Sequence, residues 1–227
     1  MQPYLFPYIG YFQLVNAVDR FVMLDDVNYI NKGWVNRNRI LVGGKEYLFT
    51  IPLIDASQNR YIKDIEVSND PKWRAKFLKS VEMSYSKAPY FKEAFGIISK
   101  VINSSETFIS KIVLQSLKEI LNYLEIEKQI VESSSVYNNR ELKGQDRILD
   151  ISLKEGATQY INPIGGTELY SKDIFTNKNV QLNFIKSKPI NYAQFKNEFV
   201  PWLSVIDVLM FNSKEQVREF LNLYDLV

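Results

Sequence analysis

From residue 106 to 124 the apolar positions Ile109, Ile112, Val113, Leu117, Ile120, Leu121 and Leu124 recur at helical spacing, predicting a helix over Glu106 to Leu124 with one buried face. Two more helices are expected before it. Pro71 suits a first helical position with Asp70 as cap, and a second helix runs from Pro89 to Ile102. The span 71–124 therefore reads as a small helical bundle inserted into a chain of a different texture. Upstream, a short helix over Phe12 to Asp19 leads into a strand, Arg20 to Leu24. Trp34 to Val42 and Lys45 to Leu53 form the arms of a hairpin about Gly43-Gly44, and Ile62 to Val67 alternates like a further strand. Downstream come a strand (Gln129 to Glu132), a helix (Leu142 to Lys154), a strand (Gln159 to Asn162), a short helix (Thr167 to Ser171) and a strand (Val180 to Ile185). Helices over Trp202 to Phe211 and Lys214 to Tyr224 close the chain. Strands separated by helices predict βαβ units, hence an α/β fold with a Rossmann-like parallel sheet carrying the hairpin and the bundle. With no repeat or low-complexity linker, residues 1–227 read as one unit.

Composition narrows the chemistry. The 227 residues hold 28 Lys+Arg against 26 Asp+Glu, a net charge of +2, so no global field draws in nucleic acid or an acidic membrane. There is no His and no Cys, which removes Ser–His–Asp and Cys–His catalysis, imidazole or thiolate zinc sites and disulfides. Carboxylates, Lys, Arg, Tyr, hydroxyls and amides remain. No apolar run approaches the roughly 20 residues that span a bilayer. The first residues lack a basic n-region, so the expectation is a cytoplasmic protein without membrane insertion.

Four segments carry candidate chemistry. The opening, with Gln2, Tyr4, Tyr8 and Tyr11 around Pro3, Pro7 and Gly10, reads either as an aromatic loop that seats a base or sugar ring or as packing around two turns. Asp25 and Asp26 end a predicted strand, where open α/β sheets place ligands; they could hold Mg²⁺ or supply a general base. Lys32, Arg37 and Arg39 follow and could offset a phosphate's charge, and strand alternation puts Trp34, Asn36 and Asn38 opposite the two arginines. The alternative is a surface hairpin with Asp–Arg pairs. Thr158 to Tyr170 places Asn162, Gly165 and Gly166 before a predicted helix, suited to an anion or to an ordinary loop. Ser57 and Gln58 sit in a polar loop that could hydrogen-bond sugar hydroxyls. Asp207, inside an apolar helix, requires a partner.

Taken together, MQPYLFPYIGYFQL, DDVNYINKGWVNRNRI, IPLIDASQN, YSKAPYF, YINPIGGTELY and FVPWLSVIDVLMFN make the chain resemble the WbqC-like family over nearly its whole length. That resemblance implies a bacterial protein of O-antigen or other surface-polysaccharide biosynthesis, transferring glycine or another acyl group to an amino sugar. It also implies a short apolar strand ahead of Met1. A weaker likeness, to the nucleotide-binding fold of nucleotidylyltransferases and pantothenate synthetases, lacks their histidine turn: Pro7-Tyr8-Ile9-Gly10-Tyr11 stands there instead. The expected roles follow. Asp25 or Asp26 is the base, with Lys32 beside them; Arg37 and Arg39 hold pyrophosphate; the tyrosine loop seats a ring; and Gly165-Gly166 donates to an oxyanion. The expected substrate is a nucleotide-linked amino sugar. The acyl donor is left open between an acid activated by ATP with Mg²⁺, an aminoacyl-tRNA and a carrier thioester. The competing reading is a non-catalytic protein that binds a nucleotide sugar or glycan intermediate. RNA binding through Trp34 to Arg39 is disfavoured by the near-neutral charge.

Overall fold

A computed structural model describes residues 1–227. In chain order the elements are α1 (Ile9–Ala17), β1 (Arg20–Val22), β2 (Arg37–Val42), β3 (Lys45–Thr50), β4 (Leu53–Ile54), β5 (Glu66–Val67), α2 (Lys72–Tyr85), α3 (Phe91–Ile102) and α4 (Ile109–Tyr123). There follow β6 (Gln129–Val131), α5 (Gly144–Lys154), β7 (Gln159–Pro163), α6 (Lys172–Thr176), β8 (Gln181–Ser187), α7 (Val205–Phe211), α8 (Lys214–Phe220) and β9 (Tyr224–Leu226). Short 3-10 turns cover Ile62–Asp64, Ser134–Tyr137 and Ile164–Gly166. No helix is long and apolar enough to cross a membrane.

The fold is mixed α/β, but the expected Rossmann-like sheet is not continuous. β1 pairs in parallel with β6, and β7 pairs in parallel with β8, whose other edge carries β9 antiparallel. These stand as separate small sheets beside the antiparallel pairs β2–β3 and β4–β5. A cleft of about 400 Å³ separates the two parallel pairs, lined by Phe21 and Val22 of β1 and by Tyr160 and Ile161 of β7. The packing divides only in part, since β7 and β8 each send a residue, Ile161 and Ile185, into the main core. One apolar core of 45 buried residues runs from Leu5 through α2–α4 to Leu221, while Leu149, Phe175, Val180, Leu182 and Phe184 form a small core of their own.

Met1 stands at the mouth of this cleft. Its amine donates to the Val22 carbonyl (2.8 Å) and its carbonyl accepts from the Leu24 N–H (2.8 Å), the two bonds of a parallel bridge opposite Met23. A residue placed ahead of Met1 on this register enters the cleft, where β1 and β7 each have a strand partner on one side only. Burial lowers the Met1 amino group to about 5 from an ordinary 8.0. The unfolded chain therefore takes up a proton first, and stability falls as pH drops from 8 toward 5. Extending the chain by four alternating apolar residues should raise the melting temperature, slow exchange of the β1 and β7 amides and flatten that pH dependence. A melting curve and exchange pattern unchanged by the extension would rule out strand addition in the cleft.

Other departures have local causes. Ile62 and Ile65 are both fully buried three residues apart, a spacing met by a 3-10 turn rather than by strand alternation, so only Glu66–Val67 is strand. No helix forms over Thr167 to Ser171, where Leu169 is 71% exposed; it starts at Lys172 and anchors on buried Phe175. The first C-terminal helix begins at Val205, capped by Ser204, rather than at Trp202. The second stops at Phe220, because Tyr224–Leu226 completes the edge of β8 instead.

Candidate functional site

Apart from Asn162, which lines the larger cleft between β1 and β7, the residues of interest fall into separate places, one of which is open. A cleft of about 240 Å³ is lined by Tyr4, Pro7, Tyr8, Trp34, Asn38, Arg39 and Trp202. The opening loop contributes by its backbone. Phe6 takes a left-handed conformation (φ 42°), which sends Leu5 and Phe6 fully into the core and leaves the half-buried tyrosines on either side at the surface. Asn38, buried on β2, holds that turn by donating to the carbonyls of Phe6 (2.8 Å) and Leu5 (3.3 Å). Ser204 fastens the third wall. Its N–H donates to the Arg39 carbonyl (2.8 Å), its hydroxyl donates to the Phe6 carbonyl (2.6 Å), and the Val205 N–H reaches the Pro7 carbonyl (2.8 Å).

Inside the cleft, aromatic faces meet one cationic group. The Tyr8 and Trp202 rings approach edge-on with centroids 6.0 Å apart. The guanidinium groups of Arg37 and Arg39 lie 5.6 and 5.2 Å from the Trp34 ring centre, within cation–π range. Trp34 thus joins the arginines rather than Asn36 and Asn38, because strand pairing begins only at Arg37 and the residues before it bend freely. Arg39 also meets exposed Glu46 at 3.1 Å, a weak tie that a phosphate could displace. Burial raises the Tyr4 and Tyr8 phenols, and the neighbouring phenol raises Tyr4 further, so both hydroxyls remain donors at neutral pH. Gly10 is a close-approach glycine: a Cβ there would lie 2.3 Å from Tyr8 Cε2 and 2.8 Å from Ser187 Oγ. Gly10→Ala should therefore push the Tyr8 ring off the cleft wall; a crystal structure of the variant with Tyr8 unmoved would refute that.

The remaining expected residues lie elsewhere. Tyr11 is core, donating its hydroxyl to the Gln2 carbonyl (3.0 Å). Asn36 is buried behind β2, accepting from the Tyr29 hydroxyl (2.9 Å) and donating to the Ile51 carbonyl (2.7 Å). Arg37 donates to the carbonyls of Gly33 (2.9 Å) and Lys32, whose own side chain is exposed. Ser57 accepts from the Asn59 N–H (3.4 Å) in an exposed loop shared with Gln58. Asn162 lies under Gly166, where an added Cβ would meet its amide at 2.8 Å, while Gly165 faces open space.

Asp25 and Asp26 are enclosed, 2% and 1% exposed, and line neither cleft. Asp25 accepts from the Ser133 hydroxyl (2.7 Å) and the Ser134 N–H (3.2 Å) of the turn after β6; burial nonetheless raises its pKa. Asp26 Oδ1 accepts from Arg147 (2.5 Å) and from the Ser134 hydroxyl, while its Oδ2 is buried without a hydrogen bond, 3.7 Å from Arg140. No three His, Cys, Asp or Glu side chains gather anywhere. With Asp26 already neutralised by a guanidinium, the pair does not fit a divalent cation.

Pro7, Asn38 and Trp202 are the cleft residues that sequence reasoning did not assign to the site. No sequence signal marks Trp202, which the apolar pattern places at the start of the following helix; the helix begins instead at Val205.

The chain is similar to the protein described as "Uncharacterized protein Rv1507c" of Mycobacterium tuberculosis (strain ATCC 25618 / H37Rv), 24% identical over 218 residues that cover 95% of this chain and 93% of that one. No solved structure matches. The profile of the WbqC-like protein family matches residues 2–219, and the chain belongs to that family.

Proposed function

We infer that the protein binds a nucleotide-linked amino sugar in the aromatic cleft and transfers an acyl group, of which glycyl is one form, to its amine during assembly of a bacterial surface polysaccharide in the cytoplasm. One observation carries this reading: Tyr4, Tyr8, Trp34 and Trp202, drawn from three distant segments, converge with Arg39 on one open cleft. Aromatic faces suit a base or sugar ring, and a guanidinium on an aromatic face suits the diphosphate between them. In the transfer, the amine nitrogen bonds to the acyl carbon, the donor's leaving group departs with its electron pair, and the amine proton passes to a base. Asp26 Oδ2, the carboxylate oxygen without a hydrogen bond, is the acceptor we assign to that proton; because Asp26 is 1% exposed and lines neither cleft, the assignment requires the enclosed carboxylate to be opened to the bound amine.

A thermal-shift screen of nucleotides, nucleotide-linked amino sugars and amino acids, singly and in pairs, tests the reading. A ligand at 100 times its Kd adds about 2.7 kcal/mol. No shift with any nucleotide-linked sugar would sink it. Binding of the sugar nucleotide with no product from any donor would leave the non-catalytic binding reading, and wild-type turnover by Asp26→Asn would remove the base assignment.

A further inference from the structure

Trp202 has a conformation that packing does not explain. Its φ of 61° is left-handed, a costly setting for a bulky residue, yet the side chain is 63% exposed and its ring neighbour is Tyr8 at the cleft. Strain of this kind persists only where the surroundings over-determine it. Here they do so from both sides, in a stretch between β8 and α7 that has no helix or strand. Downstream, Ser204 is fixed to Arg39 and Phe6 as described. Upstream, the Gln194 side chain, 1% exposed, takes both backbone groups of Val200: its Oε1 accepts the Val200 N–H (2.7 Å) and its Nε2 donates to the Val200 carbonyl (3.1 Å). The same Nε2 donates to Asp207 Oδ2 (2.7 Å). Asp207 is fully buried in α7 and also accepts from the hydroxyls of Tyr85 (2.8 Å) and Tyr192 (2.7 Å). A rigid polar network in the core thus ends two residues from an exposed, strained indole.

We propose that Trp202 is the ring clamp of the cleft, the side chain on which a planar heterocycle of the ligand stacks, and that Gln194, held by Asp207, is the positioning residue that sets it. The clamp rests on the reading of the cleft as a ligand site. It assigns the two ends of the ligand: the heterocycle stacks on the exposed face of Trp202 beside Tyr8, and the diphosphate lies toward Arg39 and Trp34. The class of ligand recognised is a nucleoside diphosphate, with or without a sugar attached.

The experiment has a ligand arm and a ligand-free arm. In the first, uridine, thymidine, adenosine and guanosine diphosphates are titrated against wild type, Trp202→Phe and Trp202→Gly. Trp202→Gly relieves the left-handed strain, so its melting temperature should not fall, while its Kd for the bound diphosphate weakens about tenfold, in line with the loss of one stacking face. Trp202→Phe should retain most of the affinity. Equal Kd for wild type and Trp202→Gly overturns the clamp. Binding of none of the four by wild type overturns the reading of the cleft itself, a different failure. In the second arm, the Val200 amide of the unliganded wild type should exchange slowly, although it lies outside any helix or strand. The Trp202 indole N–H resonance should shift in Gln194→Leu while that of Trp73 does not. A fast-exchanging Val200 amide, or a Trp202 line unmoved in folded Gln194→Leu, overturns the positioning role.

Discussion

Asp207→Ala is expected to lower stability by about 3–5 kcal/mol, because it strands three buried donors at once. The Tyr85 and Tyr192 hydroxyls and the Gln194 amide all point at this carboxylate. Tyr85 cannot turn away freely, since its oxygen also accepts the Leu41 N–H (2.7 Å) of β2. At the roughly 2–4 °C per kcal/mol usual for a chain of this length, thermal denaturation should show a fall of about 10 °C. Asp207→Asn should cost less: its carbonyl can still accept from Tyr85, but its amide faces the Gln194 amide, donor against donor. The pH dependence has a definite sign. Burial raises the Asp207 pKa above its ordinary 3.8 despite three hydrogen bonds, so the native state holds the proton more tightly than the unfolded one. Stability from this group is greatest below pH 3.8 and declines as pH rises through the native value. The stability advantage of wild type over Asp207→Asn should therefore grow as pH falls through that acid window and stay flat above it; an advantage that shrinks on acidification from neutral pH would contradict the assignment.

The second large effect concerns the other buried charge. Arg147 is 6% exposed, and its guanidinium reaches both Asp26 Oδ1 and, through Nε at 3.0 Å, the side-chain Oδ1 of Asn139. Arg147→Leu leaves the buried Asp26 carboxyl with the Ser134 hydroxyl and a half-exposed Arg140 at 3.7 Å, and should cost about 3–5 kcal/mol. Replacing both partners is expected to be far milder than the sum of the single changes: the double variant Arg147→Leu/Asp26→Leu should recover most of the loss. Urea midpoints of the four proteins give the coupling directly. Additive losses would mean that the pair is not what holds the turn after β6 against β1.

The local patterns were legible where the interactions are local. The apolar stripe of α4, the Gly43-Gly44 hairpin and the helices over 72–85 and 91–102 follow from spacing within a few residues. Both parallel pairs were foreseen as strands, but their division into separate sheets depends on which edges meet across long separations, and periodicity carries no such information. The same holds for the site. Tyr4, Tyr8, Trp34 and Arg39 drew notice because aromatics and arginines crowd their segments. Trp202 and Ser204 did not, because what brings them there is a set of bonds to Arg39, Phe6 and Pro7. Asp25 and Asp26 show the converse. Adjacent carboxylates at a strand end resemble exposed chemistry in a sequence, and only Ser133, Ser134 and Arg147, far along the chain, reveal them as enclosed.

The Ser204 stitch also governs when the cleft can exist. Its hydroxyl bond to the Phe6 carbonyl spans 198 positions of the chain. A nascent polypeptide that has displayed Tyr4, Tyr8, Trp34 and Arg39 still has no third wall, and so no place to bind, until nearly all of it has been synthesised. Contacts of such separation are late and slow to form, because the intervening chain must be closed into a loop first. Ligand added during refolding should consequently leave the early steps untouched and act on the last one, slowing unfolding rather than speeding collapse.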